Sequence, residues 1–201
     1  MPDQGNVSQA HQSPLKASRL ALRYDMVEDR LVLLAISAAD TAVALLLTRR
    51  LVARLLNGLS QVLEKSSPLA QRAPSEMRGD VILLEHQGAL KGDGSRAAQE
   101  GDPSGSAQKF TRKTDAAAHP QAPAQLVHTV SITTKPKLFE VVMKGPKEAI
   151  ATFSVSRTKL HQFLNQLRNA ADQADWQIEL DAAWLTQESQ EILLNFCGCR
   201  P

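Results

Sequence analysis

Two short strings carry the residue types best suited to holding an anion: Thr48, Arg49 and Arg50 in one, Ser156, Arg157, Thr158 and Lys159 in the other. Each puts a hydroxyl residue and an arginine just ahead of an amphipathic stripe. A Thr or Ser there caps a helix, and the first turn leaves backbone N–H groups without intrahelical partners. A guanidinium fork beside such a terminus suits phosphate or carboxylate. Ordinary capping with solvated arginines is the plainer account, because no glycine-rich loop accompanies either string. Thr48, Arg49, Arg50, Ser156, Arg157 and Lys159 are the candidate anion-binding residues.

Other reactive side chains are sparse. Glu85, His86 and Gln87 form the densest polar cluster on an otherwise apolar segment, and a histidine beside a carboxylate can act as base or ligand. The remaining histidines, His11, His119, His128 and His161, are scattered, with no second His or Cys at ligand spacing. Cys197 and Cys199, the two cysteines, sit near the end of the sequence, too close together for an unstrained mutual bridge and too few for a zinc site by themselves. No nucleophile is paired with a base and no glycines cradle a phosphate, so neither an enzyme nor a cofactor or metal site is expected.

The elements that position the two hydroxyl-arginine strings read alike. Leu31 to Leu59 aligns with Phe139 to Leu167 without a gap, at an offset of 108 residues. Arg49, Leu56, Asn57 and Leu59 match identical residues, and Leu31, Leu33, Leu45, Leu47 and Leu55 face Phe139, Val141, Phe153, Val155 and Phe163. Period-two alternation predicts a three-stranded meander in each copy. Thr48 and Ser156 then cap helices whose stripes are Leu51, Val52, Leu55, Leu56, Leu59 and Leu63 in one, and Leu160, Phe163, Leu164, Leu167 and Ala171 in the other. A shorter helix is expected after each. The first is capped by Ser75 with Met77, Val81, Leu84 and Gly88 on its stripe, although Val81 to Leu84 also suits a buried strand; the second is capped by Thr186 with Ile192, Leu193 and Phe196 inward. Trp176 and Trp184 suit either closure of a small core or an interface.

The predicted class is α+β: a duplicated three-stranded antiparallel meander followed by a helix, arranged about a pseudo-twofold as one six-stranded antiparallel surface or two facing sheets. Residues 1–16 read as a disordered leader, 17–90 as the first unit, 91–125 as a flexible low-complexity linker and 126–201 as the second unit. Formal charge is +2, spread as 8 basic and 6 acidic residues over 1–66, 7 and 7 over 67–125, and 8 and 8 over 126–201. No basic module stands out, so a general affinity for nucleic acid or anionic lipid has no support.

The start lacks a charged segment followed by an apolar one, and with so few cysteines a reducing, cytoplasmic setting is expected. Leu31 to Leu47 mimics a membrane span, but Asp40 near its middle would cost about 3 kcal/mol there. Ala38 to Thr41 reads more simply as a turn between strands, and the second copy has Pro146 at that point.

Arg23, Tyr24 and Asp25, followed by Glu28, Asp29, Arg30 and Leu31 and by Leu47, Thr48, Arg49, Arg50 and Leu51, resemble uncharacterised bacterial proteins that share this Arg-Tyr-Asp and Leu-Thr-Arg-Arg-Leu pattern. The resemblance covers the first third of the chain and implies no activity. The twice-repeated plan of strands followed by a helix is similar in topology to single-strand nucleic-acid binders of the PUR and Whirly kinds. One tyrosine and few aromatics leave little for bases to stack on, which is a departure from them.

Three functions are therefore carried forward. The first is a non-enzymatic interaction or scaffold module with a protein partner or self-association. The second is a nucleic-acid binder using Arg49, Arg50, Arg157, Lys159, Lys135 and Lys137, and the third is membrane attachment through residues 31–47.

Overall fold

A computed structural model describes residues 13–91, 109–110 and 122–186, and shows an α+β fold built on a mixed sheet. The first meander is β1 (Leu15–Asp25), β2 (Arg30–Ser37) and β3 (Ala42–Leu47), followed by helix α1 (Arg49–Ser66). Helix α2 (Pro68–Arg72), a 3-10 turn (Ser75–Met77) and α3 (Arg78–Lys91) come next. After the two-residue strand β4 (Lys109–Phe110) come β5 (Ala124–Leu126), β6 (Thr129–Thr134), β7 (Phe139–Lys144), β8 (Ala149–Val155) and α4 (Arg157–Gln173).

Leu31 to Leu47, the membrane mimic, is two strands and the turn between them. Ser37 N–H donates to the Thr41 carbonyl at 2.8 Å, and Asp40 takes a left-handed φ of 62° at little cost for its residue type. The first hairpin turns the same way. Asp25 Oδ1 accepts the backbone N–H groups of Val27 and Glu28 at 3.1 and 3.3 Å, and Asp29 sits at φ 48°.

Within each meander the pairing is antiparallel, but the meanders join through parallel contacts. The order is β5-β3-β2-β1-β8-β7-β6, with β4 beside β1. Leu15 and Lys16 pair with Ala151 and Thr152 of β8, whereas from Ala17 onward β1 pairs with β2. Ala124 to Leu126 pair with Ala44 to Leu46 of β3, and after Val127 and His128 the chain pairs with β7. The change of partner is visible in single bonds: Val127 N–H donates to Leu46 at 3.0 Å and His128 N–H to Lys144 at 2.8 Å. The two end strands of that order, β5 and β6, are therefore successive stretches of one chain segment. Lys16 opposite Thr152 and Ala124 opposite Ala44 also differ by 108 residues in each member.

The all-antiparallel joining anticipated from sequence is thus replaced by two parallel junctions. Leu15 and Lys16, assigned to the leader, are strand, and so are Ala124 and Gln125, assigned to the linker.

One core lies between the sheet and the helices. Leu31, Leu33 and Leu45 from the first meander and Val141, Met143 and Phe153 from the second meet the predicted stripes of α1 and α4. Phe153 and Phe163 make an edge-to-face pair at 5.9 Å. Residues 76–88, open between helix and strand, are mainly helical, but the buried face of α3 is Ile82, Leu83, His86 and Ala89. Met77 and Leu84, expected inward, are 54% and 67% exposed. Four consecutive apolar residues, Val81 to Leu84, fit more than one helical stripe, and packing of α3 against α4 selects between them.

Candidate functional site

The two hydroxyl caps form as expected. Thr48 Oγ1 accepts Leu51 N–H and Ser156 Oγ accepts Lys159 N–H, both at 3.3 Å, with the cap residues in extended backbone. The fold does not bring these helix starts together. Arg49, at the start of α1, donates to the carbonyl of Gln177 beyond the end of α4 at 3.2 Å. Arg157, at the start of α4, reaches the carbonyl of Leu63 near the end of α1 at 2.7 Å. Each start therefore meets the other helix's end, and no anion can bridge both. Arg49 and Arg50 are exposed, and Lys159 is half-buried.

Arg157 instead centres a polar cluster between α1, α3 and α4. Its Nε and Nη2 donate to Glu85 Oε2 at 3.0 and 2.7 Å, and Nη1 donates to Ser66 Oγ at 2.8 Å. Ser67 donates to the other carboxylate oxygen of Glu85 at 2.7 Å while its Oγ caps α2 by accepting Ala70 N–H at 3.1 Å. Pro68 suits the first helical position there because no N–H is required of it. With its forks directed inward, the Arg157 guanidinium is committed to this network.

Beside it, two histidines 75 positions apart converge. His86 Nδ1 and His161 Nδ1 lie 3.1 Å apart, and the rings are 0% and 1% exposed. Trp184, on a helical turn at residues 183–186, lies edge-on to both rings at 5.4 and 6.5 Å and donates its indole N–H to Glu64 at 2.7 Å. Burial, then the neighbouring His86 and Arg157, push His161 down to about 3, so its ring is neutral at ordinary pH. Its Nε2 has no hydrogen-bond partner among the described residues, with Glu85 Oε2 at 3.9 Å.

Glu85 and His86, singled out from sequence as neighbours, are thus divided between an ion pair and a histidine pair. His161, read as one of several scattered histidines, is the missing partner. No local signal links residues 75 apart. Thr186 is the last residue of the described turn and donates to the Ala182 carbonyl, so it does not start the helix as expected. Glu188, Ile192, Leu193, Phe196, Cys197 and Cys199 lie outside the described residues, as do His11 and His119.

A third feature is the tip of the β1–β2 hairpin. Met26 and Val27 are 83% and 95% exposed. Behind them Asp29 Oδ1 accepts the Tyr24 hydroxyl and the Trp176 indole N–H, both at 2.8 Å, and Tyr24 and Trp176 meet edge-on at 6.0 Å. Those two bonds hold the Asp29 carboxyl below the usual aspartate range, the Trp176 bond contributing most. A cleft of about 480 Å³ also opens between α1, α3 and the 181–184 segment, with Glu64, Arg78, Ile82 and Trp184 on its walls. Among the described residues no helix is long and apolar enough to cross a membrane. Comparison with protein-family models, with curated proteins and with solved structures gave no match.

Proposed function

We propose that this chain is a non-enzymatic interaction module, two βββα units fused into a pseudo-twofold pair, that engages a protein partner through the tip of its first hairpin. The observation that carries the reading is the adjacent exposure of Met26 and Val27 on a turn braced from behind by Asp25 and Asp29. Two neighbouring apolar side chains in solvent offer contact area to a complementary groove, and a pre-ordered loop loses little entropy on binding. Balanced charge and two cysteines in 201 residues favour a protein partner in a reducing compartment such as the cytoplasm over nucleic acid.

The fused-pair element is supported by the common 108-residue offset of the sequence match and of the two parallel junctions. The tip is where the units differ: the second carries Lys135, Pro136 and Lys137 instead.

The test is affinity capture with the full chain and with a Met26→Ser, Val27→Ser double variant. Circular dichroism and melting should be unchanged, because neither side chain is packed. A protein recovered by the parent chain and lost with the variant is the expected result. Equal recovery by both overturns the tip as contact, and salt-sensitive binding of oligonucleotides by both would favour a nucleic-acid role.

A further inference from the structure

We infer that the outer face of α3 is a self-association surface, through which two copies of this chain pair α3 against α3 in antiparallel orientation. The helix carries apolar residues on two opposite sides. Ile82, Leu83, His86 and Ala89 are buried where α3 packs on α4. At about 100° per residue, Val81, Leu84 and Gly88 fall within an arc of about 60° on the reverse side, and Met77 continues that stripe one turn earlier. Met77, Leu84 and Gly88 are exposed and Val81 is half-buried.

Exposed large apolar side chains are few among the described residues. Two form the hairpin tip and one is Leu126 on β5, whereas Leu69, Met77 and Leu84 lie on the consecutive elements α2, the 3-10 turn and α3. A helix apolar on both sides has a second face to bury, and here the fold buries only the first.

The charges beside the stripe select a second copy as its occupant. Asp80 and Lys91 are exposed on the same flank, about 16 Å apart along the helix. A parallel pair would set Asp80 against Asp80 and Lys91 against Lys91. An antiparallel pair about a twofold sets Asp80 of each copy beside Lys91 of the other, and the register that does so lays Leu84 of each copy over Gly88 of the other. A Cβ at Gly88 would meet nothing within 4 Å, so the surface is open there to an incoming leucine and lets the helices approach to about 8 Å. A foreign partner would have to supply an apolar stripe with the same two charges in the same order; the chain itself already has them. With one helix face per copy the contact is small, so the dimer is weak and reversible.

The experiment is sedimentation velocity on the full chain from about 1 μM to about 1 mM, which spans the affinities expected of such a contact. The parent chain should pass from monomer to dimer across this range. Leu84→Glu should weaken the dimer at least about 10-fold and leave the melting of the dilute monomer unchanged, because the side chain is not packed within the chain. Asp80→Lys and Lys91→Asp should each weaken it about 5-fold, and the two together should restore it, since the swapped charges pair again. Met26→Ser with Val27→Ser should leave the equilibrium as it is, which separates this surface from the hairpin tip. A chain that stays monomeric at the highest concentration overturns the inference, as does a dimer that Leu84→Glu leaves intact, that the double charge swap fails to restore, or that the tip variant dissolves. A monomer whose melting temperature falls sharply in Leu84→Glu would mean that the face is covered within the chain, and capture of another protein by a monomer, lost with Leu84→Glu, would mean a foreign occupant; either result also overturns the pairing of copies.

Discussion

The two meanders are alike on the side that meets the helices and unlike on the side that does not. Inward, Leu31, Leu33 and Leu45 in one correspond to Phe139, Val141 and Phe153 in the other, and all are buried. Outward, the first presents Ala21, Val32, Leu34, Ile36 and Ala44, which form a second apolar cluster. The second presents Ser131, Thr133, Glu140, Val142, Thr152 and Ser154, all partly or fully exposed. The equivalent arginines diverge likewise: Arg49 makes one exposed bond to a carbonyl, whereas Arg157 serves a carboxylate, a hydroxyl and a carbonyl. The shared core dictates only the inner face of a strand, so outer faces and helix starts are free to take separate roles.

The strongest way to break this comparison is to truncate matched inner positions. Leu45→Ala and Phe153→Ala should each cost about 3–5 kcal/mol, and each should shift one common unfolding transition. Two separate transitions in denaturant would mean that the halves do not share a core. Next come the arginines. Arg157→Ala strands Glu85 without its ion pair and should cost about 2–4 kcal/mol, the upper end limited by partial solvent access. Arg49→Ala should cost under about 1 kcal/mol. Equal losses would show that the two junctions are equivalent after all.

The outer faces give a smaller contrast. Leu34→Ala should destabilise by about 2–3 kcal/mol and Val142→Ala by under about 1.5 kcal/mol, measured as midpoints in urea. The smallest expected effect is on pH. The Asp29 carboxyl is held below its ordinary value by Trp176 and Tyr24, so the folded state binds fewer protons than the unfolded chain. Its contribution is present above the unfolded value of about 3.9 and is lost as pH falls through the lower folded value. Asp29→Asn should therefore flatten the acid limb of the stability curve; an unchanged limb would show that the brace does not discriminate charge.

Much of the fold was legible because its signals are local. Alternation of Leu20, Leu22 and Tyr24 with Ala21 and Arg23 and the short apolar run Leu31 to Ile36 mark strands, and Thr48 and Ser156 mark helix starts through a hydroxyl three residues before its backbone donor. The face of α3 was misread because Val81, Ile82, Leu83 and Leu84 offer no polar gap to fix the stripe. The parallel junctions were hidden because Leu15, Lys16, Ala124 and Gln125 sit in polar, proline-flanked sequence whose strand character comes from the partner strand. The cluster around Arg157 was the least legible, because Glu85, His86 and His161 meet only through the packing of α3 on α4.

The exchanged starts of β1 and β5 have a consequence for dilution. Residues 15–16 complete the second half's sheet and 124–126 complete the first half's, so neither half of the sequence encodes a whole sheet. Held on one chain, the partners meet at an effective concentration on the order of millimolar, and assembly is unimolecular at any protein concentration. Cut into separate peptides, the same halves would have to find each other by collision.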